Sequence, residues 1–236
     1  MPLPKPKESL KVAILVPCYK RAEYTELCIR YLEDAQIYKN TTFYLIDDGS
    51  GDEKTKMILT DTKLDSVLVI HDKNEGLRKT LIEFIEWARE NEYDMMGVMG
   101  NDCLVPENWL NTLIDIMDTC DMDILSPNVF PSNPAFKMGI EVPDDPRFRP
   151  SKIVGGLWFM AVSLTDGIVF DKHDVRGITG AFNILKQILI EKEPGVAWAA
   201  EVVVQDLGHW SGRHPWNIKN DEHRKYYEEV GRGTSW

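Results

Sequence analysis

Three carboxylates and one histidine raise the question of what chemistry this chain can do. The run Asp47-Asp48-Gly49-Ser50-Gly51-Asp52 sets two adjacent carboxylates beside residues that turn sharply. Such a pair can bind a nucleobase or a ribose, or approach a metal ion; the same residue types are also ordinary turn formers. Asp102 follows an apolar stretch and precedes a helical one. A carboxylate there can hold Mg2+ or Mn2+, hard cations that take a few oxygens and complete their shell from substrate phosphates. Asn101 or Asp102 can equally cap the next helix. His209, in Gly208-His209-Trp210, offers an imidazole that ligates Mn2+, or packs at the surface beside its tryptophan.

These positions act together only if the fold converges them. Val12–Val16 is a continuous apolar run of the kind buried on both faces in a parallel sheet. Further strands are expected at 43–46, at 67–70, which is also read as buried, and at 95–99, with a last one at 201–204. Helices are expected at about 23–37, with Leu27, Tyr31 and Leu32 as its apolar positions, and at 54–60, 77–91 and 181–191. Pro106 opens another that runs to about Met117. Strand and helix alternating with short connections predict an α/β domain with a doubly wound, mostly parallel sheet flanked by helices. Ligands bind beyond the carboxyl ends of such strands. Tyr19-Lys20-Arg21, Asp47–Ser50, His71-Asp72 and Asn101-Asp102 all fall there. Residues 126–150, rich in Pro, Asn and Asp, read as a long loop.

Composition limits the partners. The 236 residues carry a formal net charge of −11 with no long Lys/Arg block, so nucleic acid is not the expected main partner. A phosphorylated ligand would need a metal ion and local cations to neutralise it. Cys18, Cys28, Cys103 and Cys120 lack the spacing of a zinc site or a disulfide framework and are expected to be reduced and buried. The opening MPLPKPKESLK has no apolar core for a signal peptide, and no run approaches a membrane span. A cytoplasmic protein is expected: a mobile tail at 1–10, one domain at 11–212 with halves at 11–110 and 111–212, and an aromatic, charged extension at 213–236.

At these motifs the chain resembles family 2 glycosyltransferases, which have the GT-A fold. The resemblance rests on Val12–Arg21, on Leu45-Ile46-Asp47-Asp48-Gly49-Ser50, on Asn74-Glu75-Gly76-Leu77, and on Met99–Cys103 with Pro106 and Trp109-Leu110. Gly155-Gly156 resembles the paired glycines of the acceptor side, and His209 the late histidine of the metal shell. It implies that Pro17, Tyr19 and Arg21 border a nucleotide and that Asp47 or Asp48 binds its base. Asn101 would place the ribose or diphosphate, and Asp102 and His209 would ligate Mn2+ or Mg2+. The implied reaction moves a sugar from a nucleotide-diphosphate sugar, UDP-sugar favoured, to an acceptor hydroxyl.

Two positions depart from that pattern. Gly100 stands where the family's metal motif usually has Asp or Asn, and the region 171–180, where inverting members often carry a Glu-Asp pair that supplies the general base, holds no such pair. Asp171 and Asp174 are the candidates for that base. A non-catalytic nucleotide-sugar-binding module of the same fold is the alternative. A nucleotidyltransferase ranks lower, because the loop after the first strand lacks glycine.

Overall fold

The computed structural model describes residues 3–120, 122–130, 148–151, 157–170 and 178–206. Their strands are β1 (Val12–Cys18), β2 (Thr41–Asp47), β3 (Ser66–Ile70), β4 (Met95–Val98), β5 (Cys103–Leu104), β6 (Ile124–Phe130), β7 (Phe148–Ser151), β8 (Trp158–Ala161) and β9 (Val196–Asp206). The helices are α1 (Ala22–Asp34), α2 (Glu53–Thr60), α3 (Leu77–Glu90), α4 (Trp109–Thr119) and α5 (Ile178–Lys192).

The nine described strands form one sheet in the order β3-β2-β1-β4-β8-β6-β9-β5, with β7 also on β9. β1 pairs in parallel with β2 and β4, and β2 with β3. β8 runs antiparallel between β4 and β6, while β6 and β9 are parallel. Alternation along β1 explains its unbroken apolar run. Val12, Ile14 and Val16 enter one core with Cys28, Ile29 and Leu32 of α1 and Leu110 and Leu113 of α4. Ala13 and Leu15 enter the opposite core with Leu81, Phe84 and Ile85 of α3 and Ile184 and Ile188 of α5. Helices therefore cover both faces, as the parallel half requires.

Several boundaries differ from the sequence reading for identifiable reasons. α1 buries Tyr24, Thr25, Cys28, Ile29 and Leu32, whereas Leu27 and Tyr31 face solvent. β3 is the edge strand, so Val67 and Ile70 are exposed instead of buried. Pro106 lies in the turn before α4, which starts at Trp109. The region read as a loop contains β6 and β7. Ser126 and Pro127 disguise β6, whose register against β9 shifts between Pro127 and Asn128. The last strand begins at Val196, five residues before the expected 201.

The N-terminal stretch is docked, not free. Leu10 is fully buried and Leu3 packs against the core. Lys5 pairs with Asp94 at 2.8 Å and Lys7 with Asp115 at 2.9 Å, while the Tyr38 hydroxyl donates to the Lys7 carbonyl.

Candidate functional site

From β1 the chain winds to β2 and β3 on one side, then returns to β4 on the other. The carboxyl end of the β1–β4 pair is thus the switch point at which open α/β sheets bind ligands. The two strands part at Pro17. The Leu15 carbonyl accepts the Met99 N–H at 3.0 Å on the β4 side, and the Cys18 carbonyl accepts the Asp48 N–H at 2.8 Å on the β2 side. Alternation turns Pro17 toward β4, beyond the last pair Leu15↔Val98. Its missing N–H therefore costs no paired ladder bond.

Lys20 and Arg21 both have left-handed backbones, with φ of 55° and 60°. Such conformations cost on the order of 1 kcal/mol each for residues with a side chain. The Lys20 N–H donates to Ser50 Oγ at 2.7 Å, which ties the loop after β1 to the turn after β2. Lys20 Nζ lies 5.2 Å from the Tyr19 ring centre, and the Arg21 guanidinium lies 5.5 Å from that of Tyr24.

Across the crevice, the turn after β4 supplies Asn101 and Asp102. Asn101 is 4% exposed, and its amide donates to Thr25 Oγ1 on α1 at 2.8 Å. Arg21 Nη2 lies 3.0 Å from Asp102 Oδ2 and donates to Asn101 Oδ1 at 3.4 Å. The loops after β1 and β4 are therefore joined by an ion pair whose side chains are only 15% and 19% exposed. Gly100 makes room for it: a Cβ at that position would come within 2.6 Å of Asp102 Oδ1.

The Asp47–Ser50 turn forms the adjoining wall, and both of its carboxylates are buried. Asp47 Oδ1 accepts the Ser50 N–H at 2.9 Å, closing the turn. Asp48 accepts the backbone N–H groups of Glu75 at 2.8 Å and Gly76 at 3.0 Å, just ahead of α3. Its Oδ1 also meets His71 Nδ1 at 2.9 Å, while His71 Nε2 meets Glu83 Oε2 at 3.1 Å. Burial lowers the His71 pKa, but the hydrogen bonds and charges of Asp48 and Glu83 outweigh it and leave the value above that of an ordinary histidine.

Of the expected site residues, Pro17, Tyr19, Arg21, Asp47, Asp48, Asn101 and Asp102 gather on this rim. Gly155, Gly156, Asp171, Asp174 and His209 lie outside the described residues. The register Cys103↔Asp206 brings the described end of β9 beside the turn that carries Asp102. The sequence reading did not single out the clamp role of His71, nor Arg78, a cation only 9% exposed in the first turn of α3. A buried cation at a helix N-terminus opposes the helix dipole, so it stands out only once burial is known. All four cysteines are reduced and buried. Burial pushes the Cys18 thiol up to about 12 and raises Cys28 as well, so neither is a nucleophile.

The oxygens of Asp102 and Asn101 suit Mg2+ or Mn2+ in kind. Among the described residues, however, no three His, Cys, Asp or Glu side chains form a group that could hold a metal ion. The Asp102 carboxylate holds a guanidinium instead.

The architecture recurs in solved structures. S. aureus TarS 1-349 matches with a TM-score of 0.64 and 14% identity, over 86% of this chain and 64% of that one. Its complex with UDP-GlcNAc matches with a TM-score of 0.61 at 14% identity, over 84% and 59% of the two chains. Its complex with UDP matches with a TM-score of 0.62 at 14% identity, over 86% and 64%. The present chain thus spans about three fifths of the TarS chains it matches. At this identity the likeness shows the fold, which is GT-A. No curated protein matches significantly. The model of glycosyl transferase family 2 matches residues 13–188, most of the chain, and with the switch-point site in place the protein belongs to glycosyl transferase family 2.

Proposed function

We propose that this protein transfers a sugar from a nucleotide-diphosphate sugar, with UDP-sugar as the favoured donor, to an acceptor hydroxyl. The observation that carries this reading is the meeting of Arg21, Asn101 and Asp102 in the crevice where β1 and β4 part. A nucleotide diphosphate placed there finds a cation from one loop and hard oxygen donors from the other. The complexes of TarS with UDP-GlcNAc and UDP support the choice of uridine.

Each group has a role in that reading. Pro17, Tyr19 and Arg21 border the nucleotide. The base lies against the Asp47–Ser50 turn and the Glu75-Gly76 segment, where Asp48 acts through the backbone it holds. Asn101, its amide nitrogen held by Thr25 and its oxygen by Arg21, would help place the ribose or diphosphate. Asp102 and His209 would hold Mg2+ or Mn2+, and the antiparallel pairing of Asp206, at the end of β9, with Cys103 supports that assignment. A divalent ion there supplies Lewis-acid stabilisation of the departing diphosphate. Asp174 and Asp171 are the candidates for general base toward the acceptor, and Gly155-Gly156 for its binding side. Among the described residues no helix is long and apolar enough to cross a membrane.

Calorimetric titration of UDP, GDP and dTDP, with and without Mn2+, tests the reading. UDP should bind tightly only with Mn2+. Asp102→Ala should weaken it about a hundred-fold or more, since even outer-shell partners of a metal contribute ten- to a hundred-fold. No binding of any nucleotide to folded protein would sink the proposal. Binding without Mn2+-dependent donor hydrolysis or transfer would leave a non-catalytic module.

A further inference from the structure

The ion pair across the crevice has a consequence for how the site loads, which rests on the reading above. We propose that Arg21 is a resident counter-cation of Asp102 that competes with the divalent ion, so that metal binds weakly until a diphosphate arrives to receive the guanidinium.

Three observations carry this. The first is position. Arg21 Nη2 lies 3.0 Å from Asp102 Oδ2, the carboxylate a metal would need, with both side chains largely buried. A dication and a guanidinium cannot share that oxygen closely, because repulsion between neighbouring like charges is large where water screens little. The second is construction. The left-handed backbone at Lys20 and Arg21, the Ser50 tie and the contact with Tyr24 hold the guanidinium over the crevice. The third is Gly100. A side chain there would push Asp102 Oδ1 aside, so the bare glycine allows the carboxylate to fold back onto Arg21.

Separating a largely buried pair leaves an uncompensated charge, which opposes exchange unless a new partner is present. Metal alone compensates Asp102 and strands Arg21. Metal with a nucleoside diphosphate compensates both, because the phosphates accept the released guanidinium in charge-assisted hydrogen bonds. Metal and nucleotide are thereby coupled, and the coupling is reciprocal. Arg21 is a positioning residue in this scheme: it sets the order in which the site fills.

The test measures binding of Mn2+ alone, by electron paramagnetic resonance of the free ion, to the wild type, Arg21→Gln and Arg21→Lys. Arg21→Gln should bind Mn2+ at least about ten-fold more tightly than the wild type, in keeping with removal of a neighbouring like charge. Arg21→Lys keeps the charge and should stay near the wild type. Equal or weaker Mn2+ binding by Arg21→Gln overturns the proposal. Should Arg21→Gln fail to fold, Mg2+ titration of the wild type followed on the Arg21 guanidinium NMR resonances decides. Release of the guanidinium only at high Mg2+, and at much lower Mg2+ once UDP is added, supports the exchange; resonances that never respond overturn it. UDP titration of the same samples separates the two readings. Loss of UDP binding in the wild type sinks the donor assignment, whereas an unchanged Mn2+ affinity in Arg21→Gln sinks the competition.

Discussion

Asp48 and Gly76 meet across the rim of the sheet, with the buried carboxylate accepting the backbone N–H that opens α3 at 3.0 Å. The same carboxylate takes the Glu75 N–H and the His71 ring, so one side chain fastens the ends of β2 and β3 to the start of α3. Asp48→Asn removes the charge and one acceptor oxygen. It should destabilise the protein by about 1–3 kcal/mol, the cost of leaving buried donors unsatisfied. Urea denaturation checks the stability. UDP affinity should fall with it, although Asp48 faces the interior, because the backbone that borders the base loosens.

His71 makes stability depend on pH. Its pKa is raised in the folded protein by Asp48 and Glu83 against the opposing effect of burial. The charged form is therefore bound more favourably in the folded state than in the unfolded one. Its contribution is complete below the unfolded value of about 6.5 and is lost as pH rises through the higher folded value. The stability difference between wild type and His71→Gln should be largest at acidic pH and shrink on the alkaline side. Denaturation curves collected across that range measure it. A difference that grew with pH would show that His71 is held neutral.

Gly49 admits no side chain. Its φ is +68°, and a Cβ there would lie 2.1 Å from the Lys73 carbonyl carbon and 2.4 Å from the Asn74 nitrogen. Both are backbone atoms, so neither can swing away. Gly49→Ala should cost more than about 2 kcal/mol, combining a left-handed alanine with displacement of the 73–76 segment. Thermal unfolding tests this. A melting temperature equal to the wild type's would mean that the turn stands clear of that segment.

Leu10 tests the docked N-terminus. It is fully buried against the core beside β1, and Leu10→Ala should cost about 2–5 kcal/mol, as other buried leucines do. A mobile tail would make the change neutral. The same denaturation assay separates the two.

How much of this was legible in the chain follows from which interactions are local. The run Val12–Val16 revealed a central parallel strand because both of its faces are apolar, and no partner need be known to see that. The turn at Asp47–Ser50 and the Asn101-Asp102 corner were legible because each closes a strand that its own residues announce. Leu27 and Tyr31 misled, since α1 offers two candidate faces and only packing on β1 and α4 chooses between them. β6 was hidden because its burial comes from β8 and β9, strands far along the chain, which tolerate Ser126 and Pro127 in a buried ladder.

The sequence by itself therefore determined the alternation of strands and helices, and hence that its polar corners share one rim. Tertiary structure alone decided what those corners do there. It turned Asp48 inward onto the Glu75 and Gly76 amides, and it set Arg21 against Asp102 across 81 positions of chain. Periodicity records what each residue does to its own segment. A charge finds its partner only when two segments meet, and that meeting is written in the order of the strands.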